Sequence, residues 1–340
     1  MSTQPKTFAD SKAILVTGGR GFIGRHLVRH LAASRRETII SADLSPITPH
    51  PLEADCRHVE IELDLRDRTK VKEVLSNFDL ELIFDLASVA EVGLSKEDYA
   101  QNVEMTRSMI ECVSAFRIPK YIFYSTQFVF RKENALPKND ADYFPIEAYG
   151  ESKIRSELLI RTELPPEQWV ILRPTYIWGE GNRRFRDGFL HRLARGQLMI
   201  STRADLLRYY GYAGTICKQT DKLSTLSFNQ LPSSTLYLSD QPISMVRFCE
   251  YFLAALGVGR VWRASGGMIR MLGRIGDVLH GAGVPFPISG LQSDEMTRSY
   301  PVPIEATLAV TKTTTNYERA AAAVVRWALS DPEFSRRIRR

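Results

Sequence analysis

Tyr149 and Lys153 stand four residues apart in Tyr149-Gly150-Glu151-Ser152-Lys153, a spacing that sets both on one face of a helix. A free tyrosine titrates near about pH 10, so proton exchange around neutrality needs a stabilised phenolate. A nearby ammonium, assisted by an oxidised nicotinamide, would do that. Ser125-Thr126 follows the apolar run Tyr121-Ile122-Phe123-Tyr124. Thr126 could then hydrogen-bond the same substrate oxygen that Tyr149 protonates or deprotonates. Taken alone, these three residues also describe a turn hydroxyl and a solvated helix face.

A second constellation lies upstream. Thr17-Gly18-Gly19-Arg20-Gly21-Phe22-Ile23-Gly24 puts glycines at GxxGxxG spacing between an apolar run and an amphipathic stretch. Phosphate approaches backbone N–H donors closely only where no Cβ intervenes, and the helix that follows adds the unpaired N–H groups of Phe22, Ile23 and Gly24. Gly18 and Gly21 are expected to make that approach, and Gly24 to let the helix pack. Asp43 closes the next apolar run about twenty residues later, where a carboxylate accepts hydrogen bonds from adenosine ribose hydroxyls. Leu44 follows it. A 2′-phosphate would meet negative charge without a cationic partner, so the cofactor expected is NAD(H) and not NADP(H). The alternative for Asp43 is a cap or turn residue. Asp64-Leu65, ending a third run, could face the adenine.

These residues need a scaffold, and the pattern supplies one. Apolar runs at 13–16, 38–43, 58–64, 82–87, 121–125 and 170–173 alternate with helical periodicity over 22–33, 69–77, 102–116 and 149–161. Such alternation predicts a doubly wound α/β fold, a parallel sheet covered on both faces. Regularity fades after Pro174. Residues 1–178 are therefore expected to form the cofactor-binding Rossmann domain and 179–340 mostly a smaller substrate-binding domain. A run at 234–238 could return to the sheet.

Composition narrows the classes. The 340 residues are 44 % hydrophobic with a formal charge of +6, which excludes disorder, collagen and coiled coil and falls short of a nucleic-acid signature. Cys56, Cys112, Cys217 and Cys249 lie far apart, as reduced core thiols and not as a disulfide or zinc framework. The polar N-terminus lacks an apolar h-region, and no later stretch is apolar enough to span a bilayer, so a cytoplasmic protein is expected. His26 and His30 are four apart, yet no carboxylate partner or HExxH accompanies them; no metal site is expected.

With these motifs in place, the first 180 or so residues resemble the extended short-chain dehydrogenase/reductase family, particularly its nucleotide-sugar epimerase and dehydratase branch. The resemblance rests on Thr17 to Gly24, Asp43, Asp64-Leu65, Asp85-Leu86-Ala87, Asn102, Ser125-Thr126, Tyr149 with Lys153, and Leu172-Arg173-Pro174. It implies that Tyr149 is the acid/base, that Lys153 holds the nicotinamide ribose, and that Thr126 orients the reacting hydroxyl. Ala87, Asn102 and Pro174 would belong to the cofactor site. Dehydratases of this family follow the catalytic Thr with Asp-Glu, whereas Gln127-Phe128 stands here, so the elimination pair is missing. Epimerisation at a sugar C4 through a transient ketone is the expected reaction, with net oxidoreduction as the alternative. A non-enzymatic NAD-binding regulator is the other possibility; the intact Thr126, Tyr149 and Lys153 argue against it.

Arg208, in Arg208-Tyr209-Tyr210-Gly211-Tyr212, matches the arginine the family uses for the substrate diphosphate, which a planar guanidinium fork suits. Gln127 and Tyr176 are further candidate substrate contacts; Tyr176 replaces an asparagine that meets the diphosphate in relatives. Arg183, Arg184 and Arg186 lie in a glycine-containing loop that either closes over the same anion or is a solvated surface. Met268, Met271, Leu272, Ile275, Val278 and Leu279 recur at helical spacing with Arg270 and Arg274 between them. This stripe over 266–285 packs on its own domain or meets a membrane surface and a polyprenyl-linked substrate. Arg336 to Arg340 suit an anionic surface. A homodimer acting on a diphosphate-linked sugar, possible at the inner membrane face, completes the expectation.

Overall fold

The computed structural model describes residues 12–45, 57–91, 93–203 and 206–339; Cys56, Arg340 and the residues before Lys12 lie outside them. Six strands, β1 (Ala13–Thr17), β2 (Thr38–Asp43), β3 (His58–Glu62), β4 (Leu80–Asp85), β5 (Lys120–Tyr124) and β6 (Trp169–Pro174), alternate with α1 (Phe22–Ser34), α2 (Arg68–Leu75), α3 (Lys96–Ala115) and α4 (Ala148–Glu163). The strands read as continuous apolar runs because both faces of the sheet are covered. Leu15, Ile83, Tyr121, Phe123 and Ile171 pack toward Met109, Val113 and Ile160 on one face. Ile14, Val16, Phe84, Ile122 and Leu172 pack toward Leu27, Leu31 and Ile216 on the other. That is period-two alternation through a buried sheet.

Beyond β6 the chain makes short strands β7 (Tyr176–Trp178), β8 (Leu198–Ser201), β9 (Leu207–Arg208) and β10 (Tyr210–Tyr212), with α5 (His191–Ala194) between. It then returns: α6 (Ala213–Thr225) contributes Ile216, Cys217 and Leu223 to the sheet's core, and β11 (Thr235–Leu238) pairs parallel with β6. All pairings within the seven-stranded sheet are parallel, in the order β11-β6-β5-β4-β1-β2-β3. The direction of winding reverses between β1 and β4, and the crevice where ligands bind in such sheets opens at the carboxyl ends of those two strands.

The remainder comprises β12 (Ile243–Ser244), α7 (Met245–Leu256), β13 (Val261–Ala264), α8 (Gly266–Gly281), α9 (Gly290–Thr297), α10 (Glu305–Thr311), α11 (Tyr317–Leu329) and α12 (Pro332–Arg339). A separate core of Trp178, Phe185, Phe248, Phe252, Val324 and Val325 holds much of it. Among the described residues no helix is long and apolar enough to cross a membrane. Cys112, Cys217 and Cys249 are free and buried.

Candidate active site

The glycine turn joins β1 to α1, and each glycine has its own reason. Gly18 sits at φ +62°, and a Cβ there would lie 3.0 Å from the backbone of Ala87 at the end of β4. A Cβ on Gly24 would lie 2.1 Å from the Gly18 carbonyl oxygen, so the contact that needs this glycine is with the turn itself. At Gly21, the residue before α1, a Cβ would meet only that carbonyl, at 3.0 Å, and the space in front stays open. No side chain caps α1 and no acid occupies its first turn, leaving an N-terminus formed by Phe22, Ile23 and Gly24 suited to an anion. Gly24→Ala is expected to cost about 1–3 kcal/mol by overpacking, and Gly21→Ala less. Thermal unfolding of the two variants side by side checks this; equal losses would refute the packing account.

The Asp43 carboxylate ties the turn to β2, accepting from the Arg20 and Ser45 amides at 2.9 Å each. The sequence reading placed no cation here, and the structure corrects that: the guanidinium of buried Arg20 donates to the Ser45 carbonyl and lies 3.4 Å from Glu60. Glu60 offsets this guanidinium and backbone amides hold Asp43, so the corner remains unfavourable for a 2′-phosphate. Asp64 is held by Arg66 at 2.6 Å, which draws its carboxyl below the usual range, and Leu65 is a core residue. Thr17 donates to Asp85 at 2.6 Å and accepts from the Leu86 and Ala87 amides at 3.0 and 3.1 Å, fixing the start of the loop after β4. Burial pushes Asp85 up, while Thr17 and Tyr121 oppose this through hydrogen bonds. Asn102, buried on α3, accepts from the Val89 amide at 2.8 Å and donates to Ser152 Oγ at 3.1 Å, joining that loop to α4.

α4 carries Tyr149 and Lys153 to the ends of two neighbouring strands. Lys153 is buried and donates to the Tyr124 carbonyl, at the end of β5, at 2.8 Å. Burial lowers it to about 8, with Asp85 and Glu157 favouring its charge. The Tyr149 phenol is bonded to Ser88, after β4, and faces the Tyr99 ring at 5.7 Å. Burial pushes it up to about 12 against the Ser88 hydrogen bond. Tyr149 is thus partnered by Ser88 and Lys153 by a strand carbonyl. Thr126 Oγ1 accepts from the Phe128 amide at 3.3 Å, capping the turn Gln127–Val129, which leaves its own proton to donate. Pro174 ends β6 opposite Leu238.

A group the sequence reading missed underlies these residues. Glu157, eight positions after Tyr149 on α4 and wholly buried, receives Arg173 at 2.6 Å, Ser125 Oγ at 2.5 Å and the Tyr143 hydroxyl at 2.9 Å. The signal was present: an arginine ending the apolar run Val170-Ile171-Leu172 needs a buried acid.

The candidate substrate residues lie farther out. Gln127 is buried in the turn after Thr126. Tyr176 is exposed and packs edge to face on Tyr210 at 5.9 Å. Arg183 and Arg184 are exposed, but their segment is not the loop expected: Asn182 caps the Phe185 amide at 2.9 Å and starts a π-helical turn over Phe185–Leu190. Within it Arg186 is committed to Asp187 at 2.9 Å and Asp331 at 2.5 Å. Arg208 donates to the carbonyls of Glu295 and Arg298, at 2.8 and 2.7 Å, at the end of α9. That helix end also reaches the turn after Thr126. Buried Arg131 pairs with Glu295 while its guanidinium lies 4.2 Å from the Tyr300 ring and 5.1 Å from the Phe128 ring. His26 and His30 diverge, to the Glu180 carbonyl at 2.7 Å and Asp221 at 2.9 Å.

A parallel sheet with a glycine turn at its switch point, and a Thr, Tyr and Lys at the same edge, defines a class of α/β proteins built to bind a dinucleotide. The chain belongs to the NAD dependent epimerase/dehydratase family, whose model matches residues 14–217. It is 25 % identical over 207 residues to the N-acetyl-alpha-D-glucosaminyl-diphospho-ditrans,octacis-undecaprenol 4-epimerase of Escherichia coli O157:H7, covering 60 % of each chain. It is 29 % identical over 152 residues to the UDP-glucose 4-epimerase of Lacticaseibacillus casei, covering 43 % of this chain and 45 % of that one. The matched stretch thus spans less than two thirds of these relatives. The fold is shared with the UDP-glucuronic acid 4-epimerase from Bacillus cereus solved with NAD, at a TM-score of 0.69 and 18 % identity over 94 % of this chain and 96 % of that one.

Proposed function

We propose that this protein is an NAD-dependent 4-epimerase of a diphosphate-linked sugar. The reading is supported by Thr126 following β5, Lys153 bonded to the last carbonyl of β5 and Tyr149 partnered by Ser88 after β4, at the carboxyl edge where the glycine turn follows β1, with Gln127-Phe128 and no acid in the capped turn that follows Thr126. The matches to a UDP-glucose and a polyprenyl-diphosphate sugar epimerase support it.

The residues fit the cofactor: the open space at Gly21, the uncapped start of α1 and the Asp43 carboxylate suit a pyrophosphate and a ribose. Bound NAD supplies a hydride acceptor that also returns the hydride. Thr126 would orient the C4 hydroxyl, Tyr149 would take its proton and give it back to the ketone oxygen, and Lys153 would supply positive charge beside them. Residues 1–178, with β11, form the cofactor unit in this reading, and most of 179–340 holds the sugar and its diphosphate through Arg208 and Arg184, with Tyr176 contributing from the end of the cofactor unit. NAD(H) is expected to bind more tightly than NADP(H); calorimetry showing equal or tighter NADP(H) binding would remove Asp43 from this role.

A nucleoside carrier is the first reading. A polyprenyl carrier is the second, favoured by the exposed apolar residues of α8, which would place the 266–285 segment at a cytoplasmic membrane face. The protein is proposed to work as a homodimer, for which exposed Phe116, just after α3, and Leu158 on α4 offer apolar surface. The test incubates the protein with UDP-, GDP-, dTDP- and polyprenyl-diphosphate sugars without added cofactor. Inverted sugar with no net NADH supports epimerisation. Stoichiometric NAD(H) conversion would replace it by net oxidoreduction.

A further inference from the structure

Helix α8 is packed inside out. Its buried positions are Ile269, Gly273 and Gly276, and the two glycines are needed there: a Cβ would lie 2.4 Å from Ser293 Oγ at Gly273 and 1.8 Å from the Ile288 carbonyl at Gly276. The helix therefore lies backbone-close against α9 and the segment leading into it. Four of its larger apolar side chains point the other way, while Leu272 and Leu279 are half-buried. Met268, Met271, Ile275 and Val278 are 52, 55, 42 and 73 % exposed. At 3.6 residues per turn these four fall within an arc of about 80°. Val284, just beyond the helix, is also exposed.

Scattered apolar residues at a surface need no explanation, but an aligned stripe of four does. Arg270 and Arg274 border the stripe, both exposed and neither paired with an acid among the described residues. The one acid on the helix, Asp277, accepts from the Gly290 amide at 2.8 Å. Upstream, the exposed Trp262 ring carries Arg260 at 4.4 Å. Apolar side chains flanked by unpaired arginines complement acyl chains beneath anionic headgroups.

We infer that the outer face of α8 docks on an anionic lipid bilayer, with Met268, Met271, Ile275 and Val278 entering the headgroup boundary and Arg270 and Arg274 meeting lipid phosphates. This names the contact for the membrane-face reading above and rests on it only for location, not for chemistry. The docking helix is also tied to the candidate site. Its inner face packs against α9, whose end holds Arg208 through two carbonyls.

The test is co-sedimentation of the full chain with vesicles of phosphatidylethanolamine and phosphatidylglycerol, against vesicles of phosphatidylcholine alone. Binding is expected to the anionic vesicles and to weaken with salt. Arg270→Gln with Arg274→Gln should weaken it about 30-fold, from about 1 kcal/mol per basic residue near such a surface. Met271→Asp with Val278→Asp should abolish it, with circular dichroism and melting temperature unchanged because both positions are exposed. Failure of the wild type to bind, equal binding to neutral vesicles, or binding insensitive to these substitutions would overturn the inference. So would a wild-type dimer that Val278→Asp splits in sedimentation velocity, which would assign the stripe to a second copy of the chain. Turnover of sugar substrates is scored separately, so a failed epimerase reading and a failed docking surface give different results.

Discussion

Tyr149→Phe should lower the turnover rate at least about a hundredfold, the size of effect expected for a positioned proton donor or acceptor. Folding and cofactor binding should be unaffected. The phenyl ring keeps the packing against Tyr99, and only the hydroxyl bonded to Ser88 is lost. In the free protein this hydroxyl is held up at about 12, so it stays protonated at neutral pH until a positive charge arrives beside it. Lys153, one helical turn along α4, is the cation the proposed mechanism uses, and at about 8 it begins to lose its own charge in mildly alkaline solution. The alkaline limb of kcat/KM is therefore expected near pH 8, since that profile reports the free enzyme. The stability effect has the opposite sense: the folded chain releases this proton at about 8 and the unfolded chain at its ordinary value of 10.5. Between those values the unfolded state binds more protons, and Lys153 contributes stability as pH rises. Near-normal turnover by Tyr149→Phe, measured as sugar inversion, would reject the acid/base role.

What the sequence disclosed and what it concealed follow from the range of the forces involved. β1, β4, β5 and β6 were legible because a strand buried on both faces must be apolar along its length. The glycine turn was legible because its demands are local. Periodicity starts α3 near Asn102, although Ser95 and Asp98 form a capping box that begins the helix at Lys96, six residues earlier, a signal written in the sequence. The π-helical turn after Arg184 was read as a loop because Asn182 initiates it through a single side-chain bond amid glycines and arginines. Arg20 beside Asp43 and Glu60 joins residues more than twenty positions apart, and nothing in periodicity reports such a meeting. The α8 stripe shows a different limit. Periodicity predicts that apolar residues share a face but not that the face looks inward, and here Gly273 and Gly276 take the inside because they let the backbone approach.

The largest effect on stability should come from a residue absent from the sequence reading. Glu157→Ala is expected to cost about 3–5 kcal/mol, because removing one partner of a buried ion pair leaves the other charged and unsolvated. Arg173 has no exposed surface; burial opposes its charge, but the Glu157 hydrogen bonds and charge hold its guanidinium above its ordinary value. Without Glu157 the guanidinium keeps the Tyr237 hydroxyl at 3.2 Å and the Asp140 carbonyl at 2.7 Å, but no anion. Glu157→Gln, which retains an acceptor and the volume, should cost less. Glu157→Leu combined with Arg173→Met should recover part of the loss, since no charge is then stranded. Denaturant unfolding of the four proteins gives the ordering directly, and a double variant worse than Glu157→Ala would refute the stranded-charge account. A second readout separates positioning from bulk stability. Ser125 Oγ bonds Glu157 at 2.5 Å and directly precedes Thr126, so Glu157→Gln should lower kcat while leaving cofactor affinity unchanged. Loss of cofactor affinity together with kcat would instead mean that α4 as a whole had shifted, taking Tyr149 and Lys153 away from the strand ends that now hold them.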